Sequence, residues 1–341
     1  MEDKSVSEVE DRSPIRSARI GVVAIGRNEG ERLRRCLESV RGLADHVVYV
    51  DSGSSDGSVA LGRALGVSVV ELDLSGPFTA SRARNEGFRR LIELQHNLDY
   101  VFFVDGDCEV VDGWLDKATR FLNEHLDLAI VWGFRRERFP EKSVYNMLCD
   151  LEWRGYPTGD VKACGGDALI RVEAFQQVKG YRPELICGEE PEMCVRLRQA
   201  GWRIWRLTDN MTLHDVAMYR FGQWWQRSLR AGYGFAQGVA LHGGPPELFG
   251  VLESWRAWLW GLLIPLVAVV LGFAVGWWSL LLLLAYPLQF VRLVLGGDQS
   301  FHENCWRSGA LLLSKFPEVL GQMKYLADRF RRVQSGLIEY K

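Results

Sequence analysis

The sequence predicts an α/β protein with a Rossmann-like, mostly parallel sheet, followed by a transmembrane helical hairpin and amphipathic interfacial helices. Two observations support this prediction. Short apolar strands alternate with helical patterns from Arg19 to about Arg206, a rhythm that is typical of parallel sheets. From Ala257 to Val291 the chain contains no Asp, Glu, Lys, Arg or His. Because a bilayer core needs about 20 apolar residues per helix, this run is long enough for two spans.

Composition limits the possible classes of function. The 341 residues suffice for one large domain or two smaller ones. With 41 basic against 43 acidic residues the net charge is -2, so no nucleic acid partner is expected. The seven cysteines form no Cys-x-x-Cys pair, which favours reduced thiols in a cytosolic compartment over disulfides or a zinc site. Residues 1–18 are polar and predict a disordered tail without a signal peptide.

The first half of the chain predicts a β-α-β-α-β unit with its loops gathered at one edge of the sheet. Crevices at that edge commonly bind nucleotides. The predicted elements are a strand over 20–25, a polar turn over 26–30, a helix over 31–40, a strand over 47–50, a Gly/Ser/Asp-rich loop over 51–58, a further helix, and a strand over 67–72.

Two carboxylates, Asp105 and Asp107, follow the apolar run at residues 100–104, which predicts a buried strand. Gly106 between them lets the backbone turn sharply. Hard oxygen ligands at the carboxyl end of a strand suit Mg²⁺ or Mn²⁺ carrying a diphosphate. Taken alone, the same Asp-x-Asp pattern also fits a polar turn after a core strand.

Phosphate-binding loops of the two common types are absent from the sequence. There is no Gly-x-x-x-x-Gly-Lys motif, and no Gly-x-Gly-x-x-Gly follows the first strand. We therefore expect metal and side chains to hold phosphates. Arg82, Arg84 and Asn85 stand near the start of a predicted helix that runs to about Leu94, where guanidinium groups and oriented amides bind anions. Arginines at such positions are also commonly solvated.

Six segments in a fixed order resemble family-two inverting glycosyltransferases, over roughly residues 18–215. The apolar hairpin is similar to that of the membrane-attached bacterial polysaccharide and glycolipid branch of this family. The segments are Arg27-Asn28-Glu29, residues 50–58 (VDSGSSDGS), residues 81–87 (SRARNEG), Val104-Asp105-Gly106-Asp107, residues 165–171 (GGDALIR) and residues 188–197 (GEEPEMCVRL).

This resemblance implies an A-type glycosyltransferase fold, a nucleotide-diphosphate sugar donor and a divalent metal ion. It places Arg27, Asn28, Glu29, Asp51, Arg84 and Asp105 at the nucleotide sugar, Gly166, Asp167 and Glu189 at the donor or acceptor sugar, and Asp107 and His214 at the metal. Glu190 takes the position of the general base, which removes the proton of the acceptor hydroxyl while the metal neutralises the departing diphosphate.

Three departures from the family pattern qualify this assignment. Glu190 stands where the family usually has aspartate, so the choice between Glu189 and Glu190 stays open. Ser52 replaces the second acid of a common Asp-Asp pair, which bears on recognition of the base. Gly26-Arg27 replaces a small residue or proline followed by an aromatic residue, which bears on the choice of donor.

The apolar run predicts a hairpin that turns near Gly276. Arg256 precedes the run and Arg292 follows it, so the positive-inside rule places both ends in the cytoplasm. A buried hairpin in a soluble protein is an alternative. A single tilted or re-entrant helix is another, because Pro265 and Pro287 interrupt the run.

Two flanking stretches have amphipathic helical patterns, which fit either a membrane surface or packing against the soluble domain. Arg220 and Arg227 lie opposite the first apolar face, and Arg227 or Arg230 is a possible diphosphate contact. The first face comprises Phe221, Trp224, Trp225, Ser228, Leu229, Gly232 and Phe235; the second comprises Leu312, Phe316, Val319, Leu320, Met323, Ala327 and Phe330.

The sequence therefore predicts a metal-dependent inverting glycosyltransferase at the inner membrane, with its catalytic domain in the cytoplasm. The donor is a UDP-, GDP- or dTDP-sugar and the acceptor a lipid-linked or membrane-proximal saccharide, while the oligomeric state stays open. The predicted domains are a tail (1–18), a catalytic domain (19–215), an interfacial helical segment (216–254), a transmembrane hairpin (255–296) and an amphipathic C-terminal helix with a tail (297–341).

Other classes of function remain as alternatives. A sugar-nucleotide pyrophosphorylase would need a Gly-rich, Arg-containing loop after the first strand, and the turn at residues 26–30 does not supply one. A non-catalytic nucleotide-sugar-binding scaffold, or a partner subunit of a transporter, is a further alternative. The acids retained at positions 51, 105, 107, 189 and 190 argue against a degenerate fold, and one hairpin is too little membrane for a transport pathway. Residues 135–163, rich in Arg, aromatics, Gly and Pro, are a candidate for a mobile acceptor-facing loop.

Overall fold

A computed structural model of the protein describes residues 18–73, 76 and 79–333. The predicted N-terminal tail therefore lies outside the described residues, except for Ala18. The amino-terminal half of the sheet contains four parallel strands in the spatial order β3-β2-β1-β4. Their bounds are β1 Ile20–Gly26, β2 His46–Asp51, β3 Ser68–Glu71 and β4 Tyr100–Asp105.

Three helices connect these strands, as the alternating sequence pattern predicts. They are α1 Glu31–Val40, α2 Ser58–Ala64 and α3 Ala80–Leu94. Helix α1 buries Leu33, Cys36, Leu37 and Val40, the positions whose spacing predicted its apolar face. Strands β1 and β4 lie at the centre of the sheet and are almost wholly buried, which explains their continuous apolar sequence.

The second half of the sheet makes it a mixed, nine-stranded sheet. β8 runs antiparallel to both β4 and β6, β5 and β7 run antiparallel to β9, and β6 runs parallel to β9. The predicted Rossmann-like architecture is confirmed, and its continuous run of four parallel strands ends at β4, where β8 pairs antiparallel. The bounds are β5 Cys108–Val110, β6 Leu128–Glu137, β7 Gly159–Val161, β8 Ala168–Arg171 and β9 Arg203–His214.

Four further helices cover this part of the sheet and frame its loops. They are α4 Trp114–Glu124, α5 Val144–Arg154, α6 Val172–Gln177 and α7 Glu189–Gln199, with a short 3₁₀ turn at Pro140–Lys142. The core is one cluster formed by the apolar side chains of all these strands and of helices α1, α3, α4, α6 and α7.

The apolar run forms a helical hairpin that reverses at Gly276. The segments Val251–Val275 and Trp277–Leu295 are each long and apolar enough to cross a membrane, judged by length and composition. Several side chains are largely exposed, including Phe273, Trp277 and Trp278. Its parts are α9 Val251–Trp258, a π-helical turn Leu259–Leu263, α10 Ile264–Val275, a 3₁₀ helix Trp277–Leu284 and α11 Ala285–Leu295.

The two amphipathic stretches form α8 Phe221–His242 and α13 Lys315–Arg331, with α12 Phe301–Leu313 between the hairpin and α13. Trp224, Ser228 and Gly232 of α8 are buried. A Cβ atom at Gly232 would lie 2.0 Å from the carbonyl oxygen of Glu318 in α13, so these helices cross at backbone contact. The apolar face of α8 therefore packs against the rest of the chain.

The predicted apolar face of α13 is, for the most part, not the face that is buried. Val319 is buried, whereas Leu320, Met323 and Phe330 are exposed. The buried side of this helix is the less apolar one, since Glu318 and Gln322 are buried there. The cause is the close crossing with α8, which selects small and polar positions.

Helix α8 is also tied to α7 and to the loop before it. His242 Nε2 lies 2.9 Å from a carboxylate oxygen of Glu192. Arg230 Nε donates to the carbonyl oxygen of Ile186 at 2.9 Å, and the thiol of Cys187 donates to the carbonyl oxygen of Arg230 at 3.0 Å. Contacts from the middle and the carboxyl end of α8 therefore hold it to the beginning of α7 and the loop before it.

Candidate active site

The carboxyl ends of β1, β2 and β4 bring the predicted acidic residues to one edge of the sheet. Gly26 is in register with Asp51, and Ile25 is in register with Asp105. The chain after each strand forms a polar loop, so the three loops meet over the sheet edge. This is the position at which open α/β sheets bind ligands.

Asp51 fixes the conformation of the loop that follows β2, which we call the second loop. Its buried carboxylate accepts hydrogen bonds from the Tyr49 hydroxyl at 2.8 Å and from the backbone N–H groups of Gly53 and Ser54 at 3.0 and 2.7 Å. Burial and the neighbouring Asp51 raise the pKa of Tyr49 well above its ordinary value. The Tyr49 hydroxyl therefore stays a hydrogen-bond donor. The Asp51 carboxylate uses its hydrogen bonds to hold the loop that follows β2.

The first loop, which follows β1, is hydrogen-bonded to the second loop through Asn28. The backbone N–H of Asn28 donates to the Ser54 hydroxyl at 2.8 Å, and the side-chain oxygen of Asn28 accepts from the backbone N–H of Ser55 at 2.7 Å. Glu29 pairs with Arg32 at 2.7 Å, and Arg27 is exposed at the turn. These two loops form one polar wall.

A buried guanidinium, Arg84, connects the sheet edge to the start of α7. Its Nη2 lies 2.9 Å from Asp105, and its Nη1 lies 2.9 Å from Glu189 and 2.7 Å from Glu190. Burial alone would raise the pKa of Asp105, but Arg84 and Arg135 hold it below its ordinary value. Asp105 is therefore a stable carboxylate in the site.

A second guanidinium, Arg135, extends this network across β6. It lies 3.1 Å from Asp105 and 2.8 Å from Asp167. Asp167 is fully buried and also accepts from the Asp105 backbone N–H at 3.0 Å and from the Thr212 hydroxyl at 2.7 Å. Asp167 therefore holds the Arg135 guanidinium and the backbone of Asp105 in place.

Gly166 covers both guanidinium groups at contact distance. A Cβ atom at this position would lie 2.9 Å from Arg84 Nη2, 2.9 Å from Asp105 Oδ2 and 3.0 Å from Arg135 Nη2. Gly165 is less restricted, since its Cβ would first meet the Trp132 ring at 3.6 Å. Close approach of the backbone to the network thus requires glycine at position 166.

Asp107 and His214 form the predicted metal-ligand pair. They are brought together because β5 and β9 pair with Cys108 opposite His214. His214 Nε2 lies 3.2 Å from Asp107 Oδ1, and both side chains are buried. Burial alone would lower the pKa of His214, but the Asp107 carboxylate raises it above its ordinary value.

A buried thiol lies beside this pair. Cys108 lies close to Asp107 and His214. Burial, followed by the charge of Asp167, raises the pKa of this thiol well above its ordinary value. The carboxylate of Asp107 and the imidazole of His214 could hold Mn²⁺ or Mg²⁺.

Glu190 has the environment expected of a general base. Burial, followed by the charge of Glu189, raises its pKa to about 7, even though Arg84 opposes the shift. Its side chain is 13% exposed, against 6% for Glu189. Glu190 is thus the more accessible of the two acids, with a pKa near the working range of a base.

Four predicted phosphate contacts lie elsewhere or are engaged in other contacts. Asn85 uses both ends of its amide on the backbone of Tyr181, so it anchors a loop. Arg82 lies beside Gly76. Arg227 forms two bonds of 2.8 and 2.9 Å with Glu152, and Arg230 holds Ile186. The diphosphate role of Arg227 and Arg230 stays a prediction.

The structure adds three residues that sequence reasoning missed: Arg135, Glu137 and Thr212. Arg135 and Glu137 are two residues apart in β6, so their side chains lie on the same face of the sheet. Thr212 and His214 of β9 are in register with them and share this face. The available signal was the pair of opposite charges two residues apart at the end of a strand that begins with an apolar run. Glu137 lies 3.7 Å from His214 Nδ1.

Comparison with known proteins agrees with this geometry. Residues 22–179 match the model of the Glycosyl transferase family 2 family. The chain is 28% identical over 200 residues to the succinoglycan biosynthesis protein ExoA of Rhizobium meliloti (strain 1021), covering 54% of this chain and 59% of that one. It is 22% identical over 268 residues to the O-antigen chain rhamnosyltransferase RfbN of Salmonella typhimurium (strain LT2), covering 69% of this chain and 82% of that one.

One solved structure is similar over most of the chain. It is the mannosyltransferase PcManGT from Pyrobaculum calidifontis, in complex with GDP-Man and Mn²⁺, with a TM-score of 0.54 and 18% identity, covering 91% of this chain and 88% of that one. The similarity concerns the fold. Residues 22–179 are therefore similar to a glycosyltransferase family 2 domain, and the chain has an A-type glycosyltransferase fold.

Proposed function

We propose that the protein is a metal-dependent, inverting hexosyltransferase that transfers a sugar from a nucleoside diphosphate to an acceptor in envelope polysaccharide or glycolipid synthesis. The observation that carries this proposal is the arrangement of Asp105 and Asp107 at the end of β4 and Glu190 at the start of α7, joined through Arg84. This arrangement combines a site for a diphosphate with a base for the acceptor.

The charge of the site favours a bound cation. Five carboxylates, those of Asp105, Asp107, Asp167, Glu189 and Glu190, meet only two guanidinium groups, those of Arg84 and Arg135. Counted with neutral His214 and ionised acids, the excess is three negative charges (five minus two). A divalent ion offsets most of this excess, so that a diphosphate, which is also negatively charged, can bind.

Asp107 and His214 fit a divalent ion of the octahedral type. Neighbouring ligands of such an ion, with bonds of about 2.1 Å, lie about 3 Å apart, close to the observed 3.2 Å between Nε2 and Oδ1. When bound, the ion supplies charge neutralisation for the departing diphosphate. The structural relative PcManGT was solved with Mn²⁺, which supports Mn²⁺ or Mg²⁺ here.

The protein residues have distinct proposed roles in the transfer. Glu190 accepts the proton of the acceptor hydroxyl as that oxygen bonds to the anomeric carbon and the bond to the diphosphate breaks. Arg84 holds Glu190 and Asp105 at a fixed separation. Asp105, with the wall formed by Arg27, Asn28, Glu29 and Asp51, binds the nucleoside. Asp51 does so through the loop that it shapes.

The acceptor is proposed to be lipid-linked or membrane-proximal. Two relatives are named for succinoglycan biosynthesis and for the O-antigen chain, and both products are bacterial polysaccharides. Two apolar helices could place the site beside a bilayer. Exposed apolar side chains continue beyond both ends of this hairpin, at Leu248 before it and at Phe301 and Trp306 after it, as at membrane interfaces.

We further propose that the chain lies in the inner membrane with its catalytic domain in the cytoplasm. Arg256 and Arg292 stand at the two ends of the apolar run, which supports a hairpin with both ends on the cytoplasmic side.

Donor turnover by the full chain in nanodiscs tests the proposed function. UDP-, GDP- and dTDP-sugars are supplied with a lipid extract, with and without Mn²⁺, and the released nucleoside diphosphate is measured. We expect one nucleotide class to be consumed only with metal, and Asp107→Ala to abolish consumption. Nucleotide binding without release of diphosphate over all donors and acceptors would contradict the proposal.

A further inference from the structure

We propose that Glu137 is a positioning residue, which orients His214 for metal binding by accepting a hydrogen bond from its Nδ1. This inference rests on the proposed function, because it presupposes that Asp107 and His214 hold a divalent ion. It assigns a role to a buried carboxylate that lies outside the reacting groups.

Strand pairing places Glu137 beside His214. In the parallel pair of β6 and β9, Glu137 is in register with His214 at the ends of both strands. Glu137 Oε2 lies 3.7 Å from His214 Nδ1 on one side of the ring, and Asp107 Oδ1 lies 3.2 Å from Nε2 on the other. The imidazole is therefore held between two buried carboxylates.

The carboxylate of Glu137 is fixed by three donors. Oε1 accepts from Asn146 Nδ2 at 3.2 Å and from the backbone N–H of Phe139 at 3.1 Å, and Oε2 accepts from the backbone N–H of Val216 at 3.1 Å. Asn146 is itself fully buried and also accepts from the backbone N–H of Met218 at 3.1 Å. Glu137 thus keeps its orientation independently of His214.

His214 Nδ1 is a buried nitrogen without a hydrogen-bond partner among the residues that the structure describes. The nearest acceptor that could serve it is Glu137, about half an ångström beyond normal hydrogen-bond reach. A small rotation of the ring closes this gap. The Trp153 ring, edge-on with its centroid 4.7 Å from that of His214, confines the imidazole during such a movement.

The chemistry of a ligating histidine explains the value of this contact. An imidazole that binds metal through Nε2 must carry its proton on Nδ1, and a carboxylate that accepts this proton fixes the tautomer and the ring orientation. Loss of such a partner typically lowers metal affinity about 10–100-fold. Glu137 also accepts a hydrogen bond from the backbone N–H of Val216. A test must therefore distinguish the orientation of His214 from this structural role.

A double-mutant cycle on Mn²⁺ affinity makes this separation. Mn²⁺ is titrated, without donor, into the full chain in nanodiscs, and free Mn²⁺ is measured by electron paramagnetic resonance. We expect Glu137→Gln to weaken the Kd about 10–100-fold. In a His214→Gln background the same change should cost less than about twofold, because Glu137 acts through His214.

The controls separate folding from positioning. Glu192→Gln removes an equally buried carboxylate that contacts Arg182, Arg196 and His242, and it should leave the Kd unchanged. Glu137→Asp keeps the charge but shortens the side chain, and it is carried through the same cycle if the Gln variant fails to fold. Nitrogen modulation of the Mn²⁺ signal reports the imidazole ligand directly, and both Glu137 variants should weaken it.

Three outcomes would overturn the inference. An unchanged Kd in a folded Glu137 variant would do so, and so would equal losses in the wild-type and His214→Gln backgrounds, which indicate bracing of Val216 alone. Neither result touches the proposed function. Failure of the wild-type chain to bind Mn²⁺ would overturn the metal assignment and this inference together, which distinguishes the two cases.

Discussion

Arg84 and Glu190 form an ion pair of 2.7 Å in which both groups are shielded from solvent. The same nitrogen of Arg84 is 2.9 Å from Glu189, so one guanidinium nitrogen serves two adjacent acids. Burial and the charge of Glu189 raise the pKa of Glu190 in spite of this shared cation. This relationship makes the proposed base sensitive to its neighbours.

Replacing the base should remove transfer while leaving donor binding intact. We expect Glu190→Gln to lower kcat about 10²–10⁴-fold, since that is the usual contribution of a positioned base, with donor affinity changed by less than about threefold. Product formation and donor binding are measured on the same preparation. Glu189→Gln is the matched control and should retain most of the activity. The reverse ranking of these two variants would assign the base to Glu189.

The pH profile should show an acid limb. Glu190 acts as a base only when it is ionised, and its pKa in the free protein is about 7. Below that pH the ionised fraction, and with it kcat/KM, should fall about tenfold per pH unit. Because Glu189 contributes to the raised pKa, Glu189→Gln should move the limb to lower pH. A profile that is flat from pH 5 to 8 in the wild type would argue against Glu190 as base.

A methyl group at position 166 should disturb the charged network. The Cβ of Gly166→Ala would lie within 3.0 Å of Arg84, Asp105 and Arg135, and overpacking of this kind costs about 1–3 kcal/mol. We expect a lower thermal midpoint and a loss of kcat/KM of at least about tenfold. Gly165→Ala meets only the Trp132 ring at 3.6 Å and should behave nearly as the wild type. Equal effects of the two variants would refute the close-approach argument.

Charge in the middle of the apolar hairpin should reduce membrane association. Val270 lies in α10 and is half exposed. An arginine at the centre of a membrane helix costs about 2.5–3.5 kcal/mol, so Val270→Arg should lower the share of protein in the membrane fraction after carbonate extraction. Leu248→Arg changes an equally exposed residue outside the two apolar helices and should have no such effect. Retention of both variants would contradict the spanning arrangement.

Much of the fold was predictable because the local signals agree with each other. The strands that end at Asp51 and Asp105 and the helix from Glu31 to Val40 follow directly from apolar runs and their periodicity. The meeting of Asp107 with His214 was predicted from the family resemblance, and the structure places them in contact.

The remainder depended on pairings that the sequence does not encode locally. β6 joins β9 with three shifts in register, so the positions of Arg135 and Glu137 relative to Thr212 and His214 were not predictable from spacing. Asn85 had the character of an anion contact but faces the Tyr181 backbone, because α3 packs against a loop almost a hundred residues away. Such long-range contacts decide which polar residues line the site.

The contacts between α7 and α8 have a mechanical consequence. The contact between Glu192 and His242 joins α7, whose first turn carries Glu190, to α8, which leads towards the hairpin. In the proposed membrane setting, we expect these contacts to hold Glu190 at a fixed distance from the bilayer. The enzyme would then favour acceptors whose reactive hydroxyl stands at that distance.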